Sequence, residues 1–266
     1  MRIVVSVFRG LTVALACLST GFPAASAAEL RVSLTELAGV VQTVMGDAKL
    51  HLNNKPGSFL TVASGSYIAI AGTETAIPLP AKSFDLLGST YAYYVEDLNS
   101  QSIRVSAAPA AIRLVLTFDT KAAELTGGCI SGDCGLTSAL PKIAWKNVTV
   151  TIDVVPIRSG SSITLQAKSV SIGGVLTAQC ASAGIFSSGA CKLALPWANR
   201  TITKLKPDMA AKLKEKVNAS ETQDAVAIGL KKYLAVGPAG EIEITGVTTD
   251  QKSVTVSFRL AGDAGG

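Results

Sequence analysis

Histidine is almost missing from this chain: there is one, His51, in 266 residues. A single imidazole cannot build a histidine metal cluster. As a general base it would need a positioned nucleophile and an orienting partner, and its neighbours Leu50 and Leu52 suggest neither, so His51 reads as a structural strand residue. Also missing are a G-x-S-x-G nucleophile elbow, an H-E-x-x-H pair, a phosphate-binding glycine loop and calcium-loop spacing. The carboxylates Asp47, Asp85, Asp97 and Asp153 are scattered, with no pairing that would serve acid–base chemistry. The expectation is therefore a non-enzymatic protein with no cofactor, no catalytic residues and no metal ligands.

Aromatics are scarce at 5% and charged residues at 16%, against 48% hydrophobic residues, so the apolar mass is aliphatic. No apolar run reaches the ~20 residues that a membrane-spanning helix requires. The run Leu11–Leu18 is shorter; with Arg2 and Arg9 before it and Ala25-Ser26-Ala27 after it, it reads as an export signal over residues 1–27, with the mature chain starting at Ala28. A lipid anchor on Cys17 is disfavoured, because the lipobox position three residues earlier is Ala14 rather than a larger aliphatic residue. The expected location is periplasmic or secreted. Removing the signal takes away two arginines and no acids, so the net charge falls from +5 to +3, too mild for a nucleic-acid partner.

Four cysteines remain after that cleavage: Cys129 and Cys134 in GGCISGDCG, and Cys180 and Cys191 in CASAGIFSSGAC. Export makes disulfides the expected state, and their spacing does not suit zinc. Three pairings exist, of which the two sequence-local bridges are the simplest.

What the chain does contain is alternation and one long helical pattern. Ile112, Leu114, Leu116 and Phe118 alternate with polar or smaller residues, as do Val148, Val150, Ile152 and Val154, and then Ile163, Leu165 and Ala167 after an Arg158–Ser161 turn. EIEITGV and SVTVSFRL close the chain as a hairpin around TTDQK, with Val254, Val256, Phe258 and Leu260 on one face. Ser33 and Glu36 have capping-box spacing ahead of Leu34, Leu37, Val41 and Val44, with Gly46 as terminator, which predicts a short amphipathic helix. Residues 73–102 are the least legible, with FDLLGSTYAYYVEDLN open to helix, strand or ordered loop.

The late stretch Leu195–Leu234 places Ile202, Leu205, Met209, Leu213 and Val217 on one helical face and Lys204, Lys206, Lys212, Lys214 and Lys216 on the other. Pro207 should break or kink this helix or, with Asp208 after it, begin a new one at its first turn. A second helix is expected from Ser220, capped reciprocally with Gln223 and carrying Val226, Leu230, Tyr233 and Leu234. The lysines first of all solvate an outer face, and their functional reading is attraction to anionic lipid headgroups, making an anionic membrane surface a partner class. Trp145 and Trp197 read as packing anchors. The element order gives α+β: a curved antiparallel sheet wrapped around a long amphipathic C-terminal helical segment, with a shorter N-terminal helix, in a single domain over 28–260 and a disordered tail at 261–266.

This order resembles the tubular lipid-binding superfamily (TULIP), with its bactericidal/permeability-increasing-like and synaptotagmin-like lipid-binding modules and its bacterial exported relatives. The matching features are the helix Leu34–Val44, the alternating strands, the late helical segment Ile202–Leu234 and the hairpin Ile242–Leu260. The resemblance implies an apolar tube between sheet and helix and a non-enzymatic carrier of lipid or another apolar molecule, with Leu205, Met209, Leu213, Val217, Leu230, Leu116 and Val150 lining the cavity. The competing expectation is an envelope-assembly or interaction protein with a packed core.

Overall fold

The computed structural model describes residues 28–55, 65–70, 72–79, 81–118, 123–160, 162–180, 185–234 and 242–260. The segment read as an export signal (1–27), the tail (261–266), the first half of the hairpin read from Ser58, and the side chains of Tyr233 and Leu234 lie outside them.

The first helix, α1 (Leu34–Met45), starts as its sequence dictates. The Ser33 hydroxyl accepts the Glu36 amide and the Glu36 carboxylate accepts the Ser33 amide, each at 3.1 Å, while Leu34, Leu37, Val41 and Val44 turn inward. These two bonds satisfy donors that a helix start otherwise leaves open.

The strands divide among three antiparallel sheets. The largest runs in the order β12 (Ser162–Ile172), β11 (Thr149–Ser159), β8 (Ala111–Phe118), β7 (Leu98–Ala108), β2 (Lys49–Leu52), β3 (Tyr67–Ile70), β4 (Thr73–Ala76). A five-stranded sheet follows the order β13 (Val175–Gln179), β10 (Lys142–Lys146), β9 (Glu124–Ser131), β6 (Ser89–Val95), β5 (Lys82–Leu86). The closing hairpin, β14 (Ile242–Thr249) and β15 (Ser253–Leu260), joins β1 (Ala28–Ser33) in the third. Asp250 organises its turn, accepting from the Lys252 amide at 2.8 Å, from the Ser253 amide and hydroxyl at 2.7 Å, and from Arg31 of β1. The alternations in β8 and β11 are those read from sequence, and the pairing sets Leu116 directly opposite Val150.

The regular structure in the obscure 73–102 segment is strand: β4, the β5–β6 hairpin and the start of β7, with short connections between them. Its hairpin turns at Leu87 and Gly88, both with positive φ (51° and 79°), the requirement of a type I′ turn. A leucine in place of the usual asparagine hides that signal. Strand β6 is buried on nearly every residue, so it carries no two-residue period to read.

Two helices follow, α2 (Ile185–Val217) and α3 (Ser220–Leu234). Of the outcomes expected at Pro207, a break and a fresh start are both overturned: α2 runs through Pro196 and Pro207 alike. An internal proline costs about 3 kcal/mol. Leu205 and Met209 lie on either side of Pro207, each 3% exposed or less, and this packing outweighs the lost backbone bond. The expected Ser220–Gln223 capping box is also absent: the Gln223 amide bonds Ala219 O within the turn and its side chain donates to Leu165 O of β12. Thr164, expected on the polar face of β12, is fully buried and donates its hydroxyl to Gln223 O, because α3 lies over that strand.

Helix α3 packs against β12 at one edge of the seven-stranded sheet and against β3 and β4 at the other. The sheet therefore curls far enough for one helix to span its seam, with α1 lying against β7 and β8 inside the curl. Helix α2 has the same relation to the smaller sheet, touching both of its edge strands, β5 and β13, and it also packs on β12.

Candidate functional site

The candidate site is the apolar interface between the helices and the concave face of the seven-stranded sheet. Leu205, Met209 and Leu213 on α2, Leu230 on α3, Leu116 on β8 and Val150 on β11 are all between 0 and 3% exposed and belong to one contiguous core, with Val217 partly buried at its margin. The seven residues are thus brought into one apolar cluster. Around them stand Ile112, Leu114, Ile152, Leu165 and Val226, all aliphatic, as the composition implied.

The edge of β12 is finished by side chains. Asn218, in the two-residue break between α2 and α3, accepts the Ala167 amide at 2.7 Å and donates to Ala167 O at 3.1 Å; Gln223 donates to Leu165 O at 3.2 Å. An unpaired sheet edge exposes a row of backbone donors and acceptors, and these amides substitute for a further strand. This explains locally why the helical run breaks at Asn218: the chain gives up a turn of helix to seal the sheet.

Among the described residues two buried hydroxyls lack a hydrogen-bond partner, that of Thr249 on β14 and, on the buried face of α3, that of Thr222. Thr222, on α3, is 1% exposed, and its hydroxyl has no hydrogen-bond partner among the described residues. It stands four and eight residues before Val226 and Leu230, on the buried stripe of the helix, and an orphaned buried hydroxyl costs about 1–3 kcal/mol. Sequence reading passed over it. The available signal was a threonine in a stripe position otherwise taken by aliphatic residues.

Several polar groups elsewhere are engaged. His51 shares a 2.8 Å hydrogen bond with Asn99, stacks on Tyr67 at a ring distance of 5.0 Å and has Asp97 at 3.6 Å. Arg113 grips Asp153 in a fork of 2.7 and 2.9 Å across β8 and β11, and its hydrogen bonds hold the Asp153 carboxyl below the usual carboxylate range. Burial pushes the Tyr93 phenol well up, and its hydroxyl donates to Pro141 O at 2.8 Å. Both disulfides are the sequence-local ones, Cys129–Cys134 and Cys180–Cys191, which fits an oxidising compartment. No helix among the described residues is long and apolar enough to cross a membrane.

Two surface depressions lie on the five-stranded sheet. One of about 230 Å³ is bordered by Glu124, Thr137, Pro141 and Lys142, and one of about 150 Å³ by Glu124, Lys142, Thr177 and Gln179. Both are smaller than the ~300–1,000 Å³ usual for ligand pockets. None of the seven interior residues lines either one.

No protein-family model matches the chain, and no curated protein does. Among solved structures it is distantly similar to a crystal structure of lipopolysaccharide binding protein, with a TM-score of 0.39 and 13% identity over 80% of this chain and 49% of that one. The chain thus spans about half the length of that structure.

Proposed function

We propose that this protein binds a lipid or another apolar molecule outside the cytoplasm, without catalysis, along the interface of α2 and α3 with the seven-stranded sheet. It is read as an exported member of the tubular lipid-binding superfamily. The observation that carries the proposal is the combination of an aliphatic interior with an orphaned hydroxyl, that of Thr222, on the helix that spans the seam. A flexible acyl chain needs aliphatic walls, and an ester or hydroxyl at its end needs one polar partner. Helix α3 meets β3 and β4 by packing across the seam, so it can draw back from them without breaking a ladder of backbone hydrogen bonds. The interior is closed as it stands, and ligand enters by parting that seam.

The same closure favours a second reading, an interaction or envelope-assembly protein whose core is simply packed: six of the seven lining residues are no more than 3% exposed. Organic extraction of protein purified after export, followed by mass spectrometry, separates the two. Near-stoichiometric lipid supports the carrier. Leu213→Trp then lowers the bound lipid with the fold intact, and Thr222→Val lowers it too. In a packed core there is no lipid to lose; Leu213→Trp costs roughly 1–3 kcal/mol by overpacking, and Thr222→Val leaves stability unchanged or improved because it removes an unsatisfied group.

A further inference from the structure

We propose that the outer face of the N-terminal half of α2 is a docking surface for an anionic lipid bilayer. Large apolar side chains are mostly hidden in this protein, yet Leu193 is 63% and Trp197 40% exposed, four residues apart on the same helix. At 3.6 residues per turn, Leu193, Trp197, Arg200 and Lys204 fall within an arc of roughly 60°, on a stripe about 17 Å long. All four are exposed. The Arg200 guanidinium sits over the Trp197 ring, 5.5 Å from its centre.

A lone exposed leucine needs no explanation. Two large apolar residues sharing a stripe with two cations are a different arrangement, because the indole suits the boundary between headgroups and acyl chains while arginine and lysine pair with phosphate. Charge settles the occupant. Between Gly189 and Pro207 the helix carries Lys192, Arg200, Lys204 and Lys206 and no acid. Of these, Lys206 is turned aside onto Gly174 O at 2.9 Å. The acids further along α2 are both paired, Asp208 with Lys82 of β5 and Glu215 with Lys212. The flanking strand β13, tied to α2 by the Cys180–Cys191 bridge at one end and by Lys206–Gly174 at the other, contributes Val-Leu-Thr-Ala-Gln and no charge. Those two ties also hold the helix still, so the stripe is presented as a rigid surface. It stands apart from the interior reading: a protein with a packed core would still dock here, and a lipid carrier that does not dock would overturn this inference alone.

The test is co-sedimentation of the full exported chain with vesicles of phosphatidylglycerol mixed with phosphatidylcholine, set against vesicles of phosphatidylcholine alone. The wild type pellets with the anionic vesicles, is released by high salt and stays in solution with the neutral ones. Each cation at such a surface changes partitioning by about fivefold, so Arg200→Gln with Lys204→Gln weakens it roughly 25-fold. Leu193→Ser with Trp197→Ala weakens it as well, while the thermal melts of these surface variants stay at wild type. The salt release needs no variant and stands even if one fails to fold. Equal binding to neutral vesicles, no binding to anionic ones, binding indifferent to all four substitutions, or a dimer in solution that Trp197→Ala dissociates would each overturn the proposal.

Discussion

The two larger sheets each curl until both of their edge strands reach a single helix, α2 for the five-stranded sheet and α3 for the seven-stranded one, yet they are filled and fastened differently. The smaller sheet holds much of the scarce aromatic mass: Tyr91, Tyr93, Trp145 and Phe84 are all buried there, with Phe84 stacked against both Tyr91 and Tyr93 at under 6 Å between ring centres. Its seam is held by the Cys180–Cys191 bridge, the Lys82–Asp208 ion pair and the Lys206–Gly174 bond. The larger sheet is filled with leucine, isoleucine and valine, and its described polar fastening lies on the β12 side, at Asn218, Gln223 and Thr164. Rings in fixed contact make a core that tolerates little rearrangement, whereas branched aliphatic chains repack at low cost. On the proposed lipid-binding reading, the smaller sheet is the scaffold and the larger one the place for an apolar guest.

The strongest way to break this comparison is Trp145→Ala. Trp145 is 1% exposed, and its indole donates to Gly173 O at 3.2 Å, so its removal should cost about 3–5 kcal/mol in denaturant unfolding. A loss below about 1 kcal/mol would show that the aromatic sheet is not the rigid one. Next comes the bridge across the smaller seam. By chain entropy the Cys180–Cys191 loop contributes roughly 3 kcal/mol and the Cys129–Cys134 loop roughly 2, so replacing each pair by serine should give that order. Serine replacement should also loosen the N-terminal half of α2, seen as faster amide exchange there. The reverse order would mean that the bridge does not fasten the seam. The smallest effect is at the polar fastening of the larger sheet. Asn218→Ala strands the Ala167 amide and carbonyl and should lower stability by about 1–3 kcal/mol. If the larger seam is the one that parts, this variant should also exchange bound lipid faster than wild type; a change in stability with no change in lipid exchange would place the opening elsewhere.

Much of this was legible one segment at a time. The α1 capping box, the alternations of β8 and β11, the closing hairpin and the helical stripe through Leu205, Met209 and Leu213 follow from local periods of two and 3.6 residues, which each side chain obeys wherever its partner lies. Lys204 likewise stands exposed as the helical pattern requires. What failed locally failed where neighbours from afar intervene. β6 has no period because both of its faces are covered, Thr164 is buried because α3 crosses β12, and Gln223 leaves its cap for Leu165 O.

The division into sheets lay beyond any local reading. After β2, β3 and β4 in the larger sheet the chain moves to the smaller one for β5 and β6, returns for β7 and β8, leaves for β9 and β10, returns for β11 and β12, and goes back to the smaller one for β13 before the two late helices and the closing hairpin. Each strand's own residues set its period and its apolar face, and in that sense the sequence by itself determined the elements and the aliphatic character of the interior. Which sheet a strand joins, which helix spans each seam and which of the described hydroxyls are left without a partner were decided only in the tertiary structure. Backbone hydrogen bonding between strands is indifferent to side-chain identity, so partners are chosen by how the apolar faces of segments far apart in the chain can be buried together.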